Sequence, residues 1–128
     1  MSFEACSEEP PPGLLGGIEQ FNRGEFYGCH DSLEALWMAD TRPVRQLYQG
    51  ILQIGVAFYH LQEGRPRPAR VLLERGSGYL QQFQPRCMGV DVAGLLADSD
   101  RCLAQIKLLG PDCLEEFDWQ SVPKIKTG

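Results

Sequence analysis

The chain lacks any long apolar run. Nowhere in its 128 residues does an apolar stretch approach the roughly 20 residues that a helix needs to cross a bilayer. The N-terminus also lacks the positive charge of a secretory signal, because it carries Glu4, Glu8 and Glu9 instead. These two absences disfavour a membrane-spanning or secreted protein, and we expect a cytoplasmic protein without a membrane partner.

Paired cysteines are also lacking. The chain has an odd number of cysteines, spread out with no C-x-x-C pair: Cys6, Cys29, Cys87, Cys102 and Cys113. This distribution disfavours both a disulfide framework and a zinc knuckle. We therefore expect reduced thiols, several of them buried, and interpret Cys29 as a small packing residue.

Basic residues are in the minority. Lys and Arg number 12 against 17 Asp and Glu, a formal net charge of -5, so we expect no nucleic-acid partner. The hydrophobic fraction of 43% is that of a folded protein rather than a disordered one. At this length the chain fits one domain with one core.

Helical periodicity accounts for most of the chain. Residues 1–12 contain three consecutive prolines and predict a flexible leader, residues 13–110 a helical domain, and residues 111–128 an extended tail that packs on it. Apolar stripes and breaks predict helices near 14–23, 26–39, 44–62, 66–83 and 92–109. No strand is predicted, so the expected fold is an all-α compact bundle of about five helices.

The sequence repeats weakly at a spacing of forty residues. This offset aligns Gly64 with Gly24, and two positions that pack between helices follow the same spacing. The aligned apolar pairs are Ala69 with Cys29 and Leu73 with Leu33. The repeat predicts two tetratricopeptide-like helical hairpins. Gly76 and Gly78 weaken the fourth helix, so we expect both to allow close approach of another backbone.

Arginines cluster around the fourth predicted helix, at Arg65, Arg67, Arg70 and Arg75. Such a run is usually a solvated face, and Arg70 is placed to pair with Glu74 one turn later. The alternative interpretation is a local anion or phosphate site near the start of this helix.

Candidate chemistry lies on the second and third predicted helices. His30 and Glu34 are four residues apart on one helical face, and we expect both to face the interior or a cleft. This spacing suits a hydrogen bond, an acid–base pair or two metal ligands. Gln49, Gln53 and His60 lie within about 40° of one another on the third helix.

Three interpretations of these stripes remain open. They form a buried polar network that fixes helix packing, a ligand pocket or protein-binding groove, or a metal or catalytic site. No residue is assigned a catalytic role. If the stripes meet, the candidate metal ligands are His30, Glu34 and His60.

Two stretches resemble a known prokaryotic family. They are FYGCHDSLEALW, residues 26–37, and QGILQIGVAFYH, residues 49–60. The pattern F-Y-E-x-H-E-x-x-E-x-x-W followed by Q-G-x-I-Q-x-A-x-x-x-H resembles that of the domain of unknown function DUF309. The resemblance implies an all-helical fold and no established activity. Its characteristic positions are His30, Glu34, Trp37, Gln49, Gln53 and His60, and this chain departs from the pattern at Gly28, Asp31, Pro66 and Pro68.

The sequence thus predicts a non-enzymatic interaction or ligand-binding module. Its partner would be an unknown protein or a small molecule, and a homodimer is reasonable for a domain of this size. No cofactor is expected on this interpretation. The alternative is a hydrolase-like enzyme with a divalent metal bound by the His/Glu/His set.

Overall fold

The computed structural model describes residues 3–128, so residues 1 and 2 of the predicted leader lie outside the described part of the chain. Within residues 3–128 most of the chain is helical, and the all-α bundle expected from the sequence is confirmed. The α-helices are α1 (Pro12–Asn22), α2 (Phe26–Ala39), α3 (Arg45–Gln62), α4 (Pro66–Leu80) and α5 (Val92–Leu109). Proline begins α1 and α4, where its missing N–H costs no helical hydrogen bond.

The forty-residue repeat appears as two hairpins, α1 with α2 and α3 with α4. Each first helix ends in a glycine with positive φ, +80° at Gly24 and +74° at Gly64. The residue after each glycine donates its N–H to a carbonyl five positions back, from Glu25 to Gln20 and from Arg65 to His60, both at 2.9 Å. This is the Schellman arrangement, and it fixes the same turn in both hairpins.

The core is centred on α3, which is buried on most of its circumference. Its Phe58 ring lies 5.6 Å from the ring of Phe26 and 6.3 Å from that of Phe21. Ala69 and Cys29, the aligned small residues, are both fully buried. Aromatic contacts of this kind add to the free energy of burial, so the central helix joins the two hairpins into one core.

One of the two glycines predicted to allow close approach does so. A Cβ at Gly76 would lie 2.8 Å from the Gly50 carbonyl oxygen, and α3 and α4 meet at this pair. The expectation for Gly78 is wrong, because a Cβ added there would meet nothing within 4 Å among the described residues. Only Gly76 is on the face that packs against α3.

A small hairpin precedes α5, and the expectation of no strands is wrong at this point. Strands β1 (Arg86–Cys87) and β2 (Val90–Asp91) pair in antiparallel fashion. Both turn residues, Met88 and Gly89, have positive φ, which is the geometry of a tight hairpin turn. The Asp91 carboxylate then accepts a hydrogen bond from the Gly94 N–H and caps α5.

The N-terminal segment lies on this hairpin, where a flexible leader was expected. Residues Glu4–Ser7 form a 3-10 helix, and Phe3 packs on Phe83 with ring centroids 4.8 Å apart. Cys6 forms a disulfide with Cys87. The expectation that every thiol is reduced is therefore wrong for these two cysteines, because the fold brings together two residues far apart in sequence.

The C-terminal segment packs on α1, α4 and α5. It contains 3-10 helices at Pro111–Glu116 and Trp119–Ser121. The side chain of Asn22 then exchanges two hydrogen bonds with the backbone of Ile125, which is buried. Across residues 3–128, no helix combines the length and the apolar character that spanning a bilayer demands.

Candidate functional site

The candidate site lies between α2 and α3, which pack tightly. The closest approach is at Gly55, where an added Cβ would lie 3.3 Å from the sulfur of Cys29. Burial raises the pKa of the Cys29 thiol to about 12, so it stays protonated and acts as a packing group. The polar residues predicted from the sequence flank this contact.

His30 and Glu34 form a pair at the surface of α2 rather than in the interior. The His30 Nε2 atom is 3.0 Å from a Glu34 carboxylate oxygen, and its Nδ1 is 3.3 Å from that of Asp31. The side chains of His30 and Glu34 are 32% and 49% exposed. Both ring nitrogens therefore face carboxylates. Of the two side chains expected to face the interior or a cleft, His30 lines the cleft described below, whereas Glu34 is half exposed and is not part of its lining.

His60, on α3, has a different environment from that of His30 on α2. Its Nδ1 accepts a hydrogen bond of 3.0 Å from the Nε–H of Arg65. Partial burial, and secondarily the positive charge of Arg65, lower the pKa of His60. The ring is thus held neutral with its remaining proton on Nε2, which has no acceptor among the described residues.

The two histidines line one cleft. Its volume is about 200 Å³, and its lining consists of Tyr27, His30, Val56, Tyr59 and His60. Ring centroids are 5.3 Å apart for Tyr27 and Tyr59, and 5.9 Å apart for Tyr59 and His60. Aromatic rings thus form a nearly continuous surface, with Val56 supplying the aliphatic part of the lining.

The other end of the α2–α3 groove holds Trp37 and Arg45. The guanidinium carbon of Arg45 is 3.8 Å from the Trp37 ring centroid, which is a close cation–π contact. In the described part of the chain, the indole N–H of Trp37 and the Nε–H of Arg45 are buried without a hydrogen-bond acceptor. Such unpaired donors are uncommon, and each costs free energy unless water or a ligand accepts its hydrogen.

Gln53 is also unsatisfied, whereas Gln49 is half-buried on the same face of α3. The side chain of Gln53 is only 7% exposed, and its Oε1 has no donor among the described residues. Helical spacing puts Gln53 on the same face as His60, seven residues later. The three buried atoms, two donors and one acceptor, have no hydrogen-bond partner among the described residues.

The three proposed metal ligands are only partly brought together. His30 and Glu34 are in contact, but His60 faces the cationic side chain of Arg65 across the cleft. Among residues 3–128, no group of three His, Cys, Asp or Glu side chains is arranged to hold a metal ion. A cation at His60 would also be repelled by Arg65.

Sequence reasoning missed the aromatic walls. Tyr27, which is 60% exposed, lies one helical turn before His30, and Tyr59 is next to His60. The i,i+3 spacing of Tyr27 and His30 was a usable signal, since such residues share a helical face. Tyr59 gave no comparable signal, because α3 is apolar on nearly every side.

Comparison with known proteins finds one family model and one relative that this chain resembles. An uncharacterized protein of Aquifex aeolicus (strain VF5) is 29% identical over 48 residues, which cover 37% of this chain and 14% of that protein. This chain thus spans a small part of the relative it matches, and the relative's description names no activity. Residues 14–72, which contain the whole cleft, match the family described as Domain of unknown function (DUF309), and the resemblance seen in the sequence is thereby confirmed.

Proposed function

We propose that this protein is a non-enzymatic binding module and that the aromatic cleft between α2 and α3 holds a small planar ligand. The observation that carries the proposal is one cleft lined by Tyr27, Tyr59 and both histidines, to which each predicted stripe contributes one residue. Sites for drug-sized ligands have volumes of roughly 300–1,000 Å³. The present cleft, at about 200 Å³, fits a single ring.

Stacking would supply most of the affinity. Tyr27 is exposed by 60% although it is an aromatic residue beside other aromatic residues. A planar ligand packed on Tyr27 and Tyr59 would bury this surface and gain the favourable geometry of aromatic pairs. Small binding sites commonly combine such an apolar lining with a few polar groups that set orientation.

The polar groups favour an anionic end on the ligand. The Nε2–H of the neutral His60 ring is a free donor, and Arg65 adds a positive charge at the same side of the cleft. The opposite rim carries Asp31 and Glu34, which would repel an anion. We therefore propose an aromatic carboxylate, oriented with its ring on the tyrosines and its carboxylate toward His60 and Arg65.

The lining residues favour binding over catalysis. They include no serine, cysteine or lysine, and the nearby Cys29 thiol is buried and protonated. Stacking and one directed hydrogen bond suit ligand binding better than covalent chemistry, which needs an activated nucleophile. The divalent-metal alternative and a homodimer stay predictions, as does a cytoplasmic location.

The test is a titration with benzoate, followed by NMR of the tyrosine and histidine side chains. Cyclohexanecarboxylate is the matched probe, because it has the same charge and similar size without a flat ring. We expect benzoate to shift the signals of Tyr27, Tyr59 and His60 and to bind several-fold more tightly than cyclohexanecarboxylate. Equal binding of the two acids, or no shift in the cleft with benzoate, would overturn the proposal.

Two tyrosine variants test whether benzoate binds in the cleft. Tyr27→Leu removes an exposed ring from the cleft and should weaken benzoate binding by about two- to twelvefold, since a stacked pair contributes roughly 0.5–1.5 kcal/mol and the exposed side chain has little structural role. Tyr79→Leu makes the same change on α4, outside the lining, and should leave binding unchanged. A similar loss in both variants would contradict the assignment of the site.

A further inference from the structure

A second cavity, which shares no lining residue with the aromatic cleft, lies where α4 begins and α5 ends. Its volume is about 150 Å³. Three of its lining side chains are cationic, Arg67, Arg70 and Lys107, while Ile106 and two prolines supply apolar surface. The chain as a whole has a formal net charge of -5, so the positive charge around this cavity is a local feature of the surface.

The two arginines have no protein partner at the cavity. Across residues 3–128, neither Arg67 nor Arg70 takes part in an ion pair or a side-chain hydrogen bond, and the predicted pair of Arg70 with Glu74 is not formed. Glu74 instead lies 3.3 Å from Lys107. Both guanidinium groups therefore keep their donors available for a ligand.

The backbone adds little to the positive charge of this cavity. Pro66 and Pro68 stand in the first turn of α4 and lack N–H groups, so few helix donors point outward. The α5 C-terminus lies beside the same cavity, and its negative partial charge opposes the positive one of the α4 N-terminus. The side chains, rather than a helix dipole, must account for any anion binding.

We propose that this cavity binds a small oxyanion of the phosphate type. Arginine presents a planar fork of donors that matches the oxygens of phosphate bidentately, and two such forks favour a multiply charged anion. Lys107 adds little to this attraction, because its ammonium group is paired with the Glu74 carboxylate. The acidic residues of the adjacent 3-10 helix, such as Asp112 and Glu115, lie beyond ion-pair distance of both arginines in the described chain. The cavity admits one or two phosphate groups rather than a large polyanion.

Titration with inorganic phosphate, pyrophosphate and glycerol phosphate tests this proposal. The measurements are made on the full chain by NMR at a fixed, low ionic strength, so that screening is equal for all three probes. We expect saturable shifts at the amides around residues 66–70 and 106–110, with pyrophosphate binding most tightly. Glycerol phosphate distinguishes recognition of a phosphomonoester from recognition of free phosphate only. No saturable shift with any probe would overturn the proposal.

Two matched charge variants distinguish binding in this cavity from electrostatic attraction by the net charge of the protein. Arg70→Gln removes one guanidinium from the cavity and should weaken pyrophosphate binding about tenfold or more, as expected for a charge-assisted hydrogen bond. Arg75→Gln removes the same charge from an exposed position on the same helix, outside the lining, and should change binding less than about twofold. Equal losses in the two variants would mean that only net charge attracts the anion, and the site would be rejected.

Discussion

His60 is held in its neutral form mainly by its partial burial and secondarily by Arg65 in the turn that follows it. Partial burial and the charge of Arg65 both lower its pKa below the ordinary value of 6.5. At a pH just below 6.5 the unfolded chain therefore binds more protons than the folded one, so this residue lowers the stability as the pH falls through that range. Well above pH 6.5 the ring is neutral in both states, so this loss of stability is absent.

Arg65→Gln should raise the pKa of His60 only part of the way to its ordinary value, because burial, the larger cause, stays in place. The measurement is a pH titration of the histidine ring signals by NMR. Arg67→Gln, two residues later and without a contact to His60, is the control and should leave that pKa nearly where it is in the wild type. An unchanged His60 titration in Arg65→Gln would contradict the hydrogen bond between the two side chains.

At the residue scale, the sequence predicts pairs of side chains that lie one helical turn apart, and few other contacts. His30 and Glu34 were predictable as a pair, since residues four apart share a helical face. The partner of His60 was not, because Arg65 reaches it only through the Gly64 turn, in which the Arg65 N–H also bonds the His60 carbonyl. Recognising that turn as a Schellman motif would have brought the two residues together.

At the scale of elements, the close approach of α3 and α4 depends on Gly76. A Cβ at this position would lie 2.8 Å from both the Gly50 carbonyl oxygen and the Cγ1 of Ile54. The carbonyl belongs to the α3 backbone, so relief requires the two helices to move apart and disturbs the buried side chains between them. The cost of such overpacking is typically about 1–3 kcal/mol.

Gly76→Ala should accordingly lower the free energy of unfolding by about 2 kcal/mol in chemical denaturation. Gly78→Ala is the matched control on the same helix, since a Cβ there meets nothing within 4 Å across the described residues. Alanine restricts the unfolded chain more than glycine does, so Gly78→Ala should raise the stability by up to about 1 kcal/mol. Stabilisation by both substitutions would mean that α3 and α4 do not approach as closely as described.

The elements themselves were largely predictable, because long amphipathic stripes bounded by glycine and proline have few alternatives. The bounds of α2 agree at both ends, and those of α3 differ by one residue. The β1–β2 hairpin escaped prediction because its strands have two residues each, too few for an alternating pattern. Its Met88–Gly89 turn depends on positive φ at a methionine, which propensity does not anticipate.

At the scale of the whole molecule, both chain ends are tied to the bundle by contacts that span most of the sequence. Asn22 bonds Ile125, and the hairpin forms a bridge from Val90 to Thr127. The Cys6–Cys87 disulfide joins the N-terminal segment to the same hairpin across a separation of 81 residues. No local pattern predicts such contacts, since they follow from the packing of five helices rather than from the residues near either partner.

Loss of the Cys6–Cys87 bond should destabilise the chain substantially. Closing a loop of this length restricts the unfolded state by about 4 to 5 kcal/mol on the chain-entropy account, which corresponds to a fall in Tm of roughly 10 °C or more. Cys6→Ser, and the wild type in excess dithiothreitol, should show this fall in thermal unfolding, whereas Cys113→Ser should not, because Cys113 is a half-buried free thiol. Alkylation of the unreduced wild type in denaturant, followed by mass analysis, should find three free cysteines, Cys29, Cys102 and Cys113. Five alkylated thiols, with no response of Tm to dithiothreitol, would restore the reduced state expected of a cytoplasmic protein and remove the covalent link between the N-terminal segment and the hairpin.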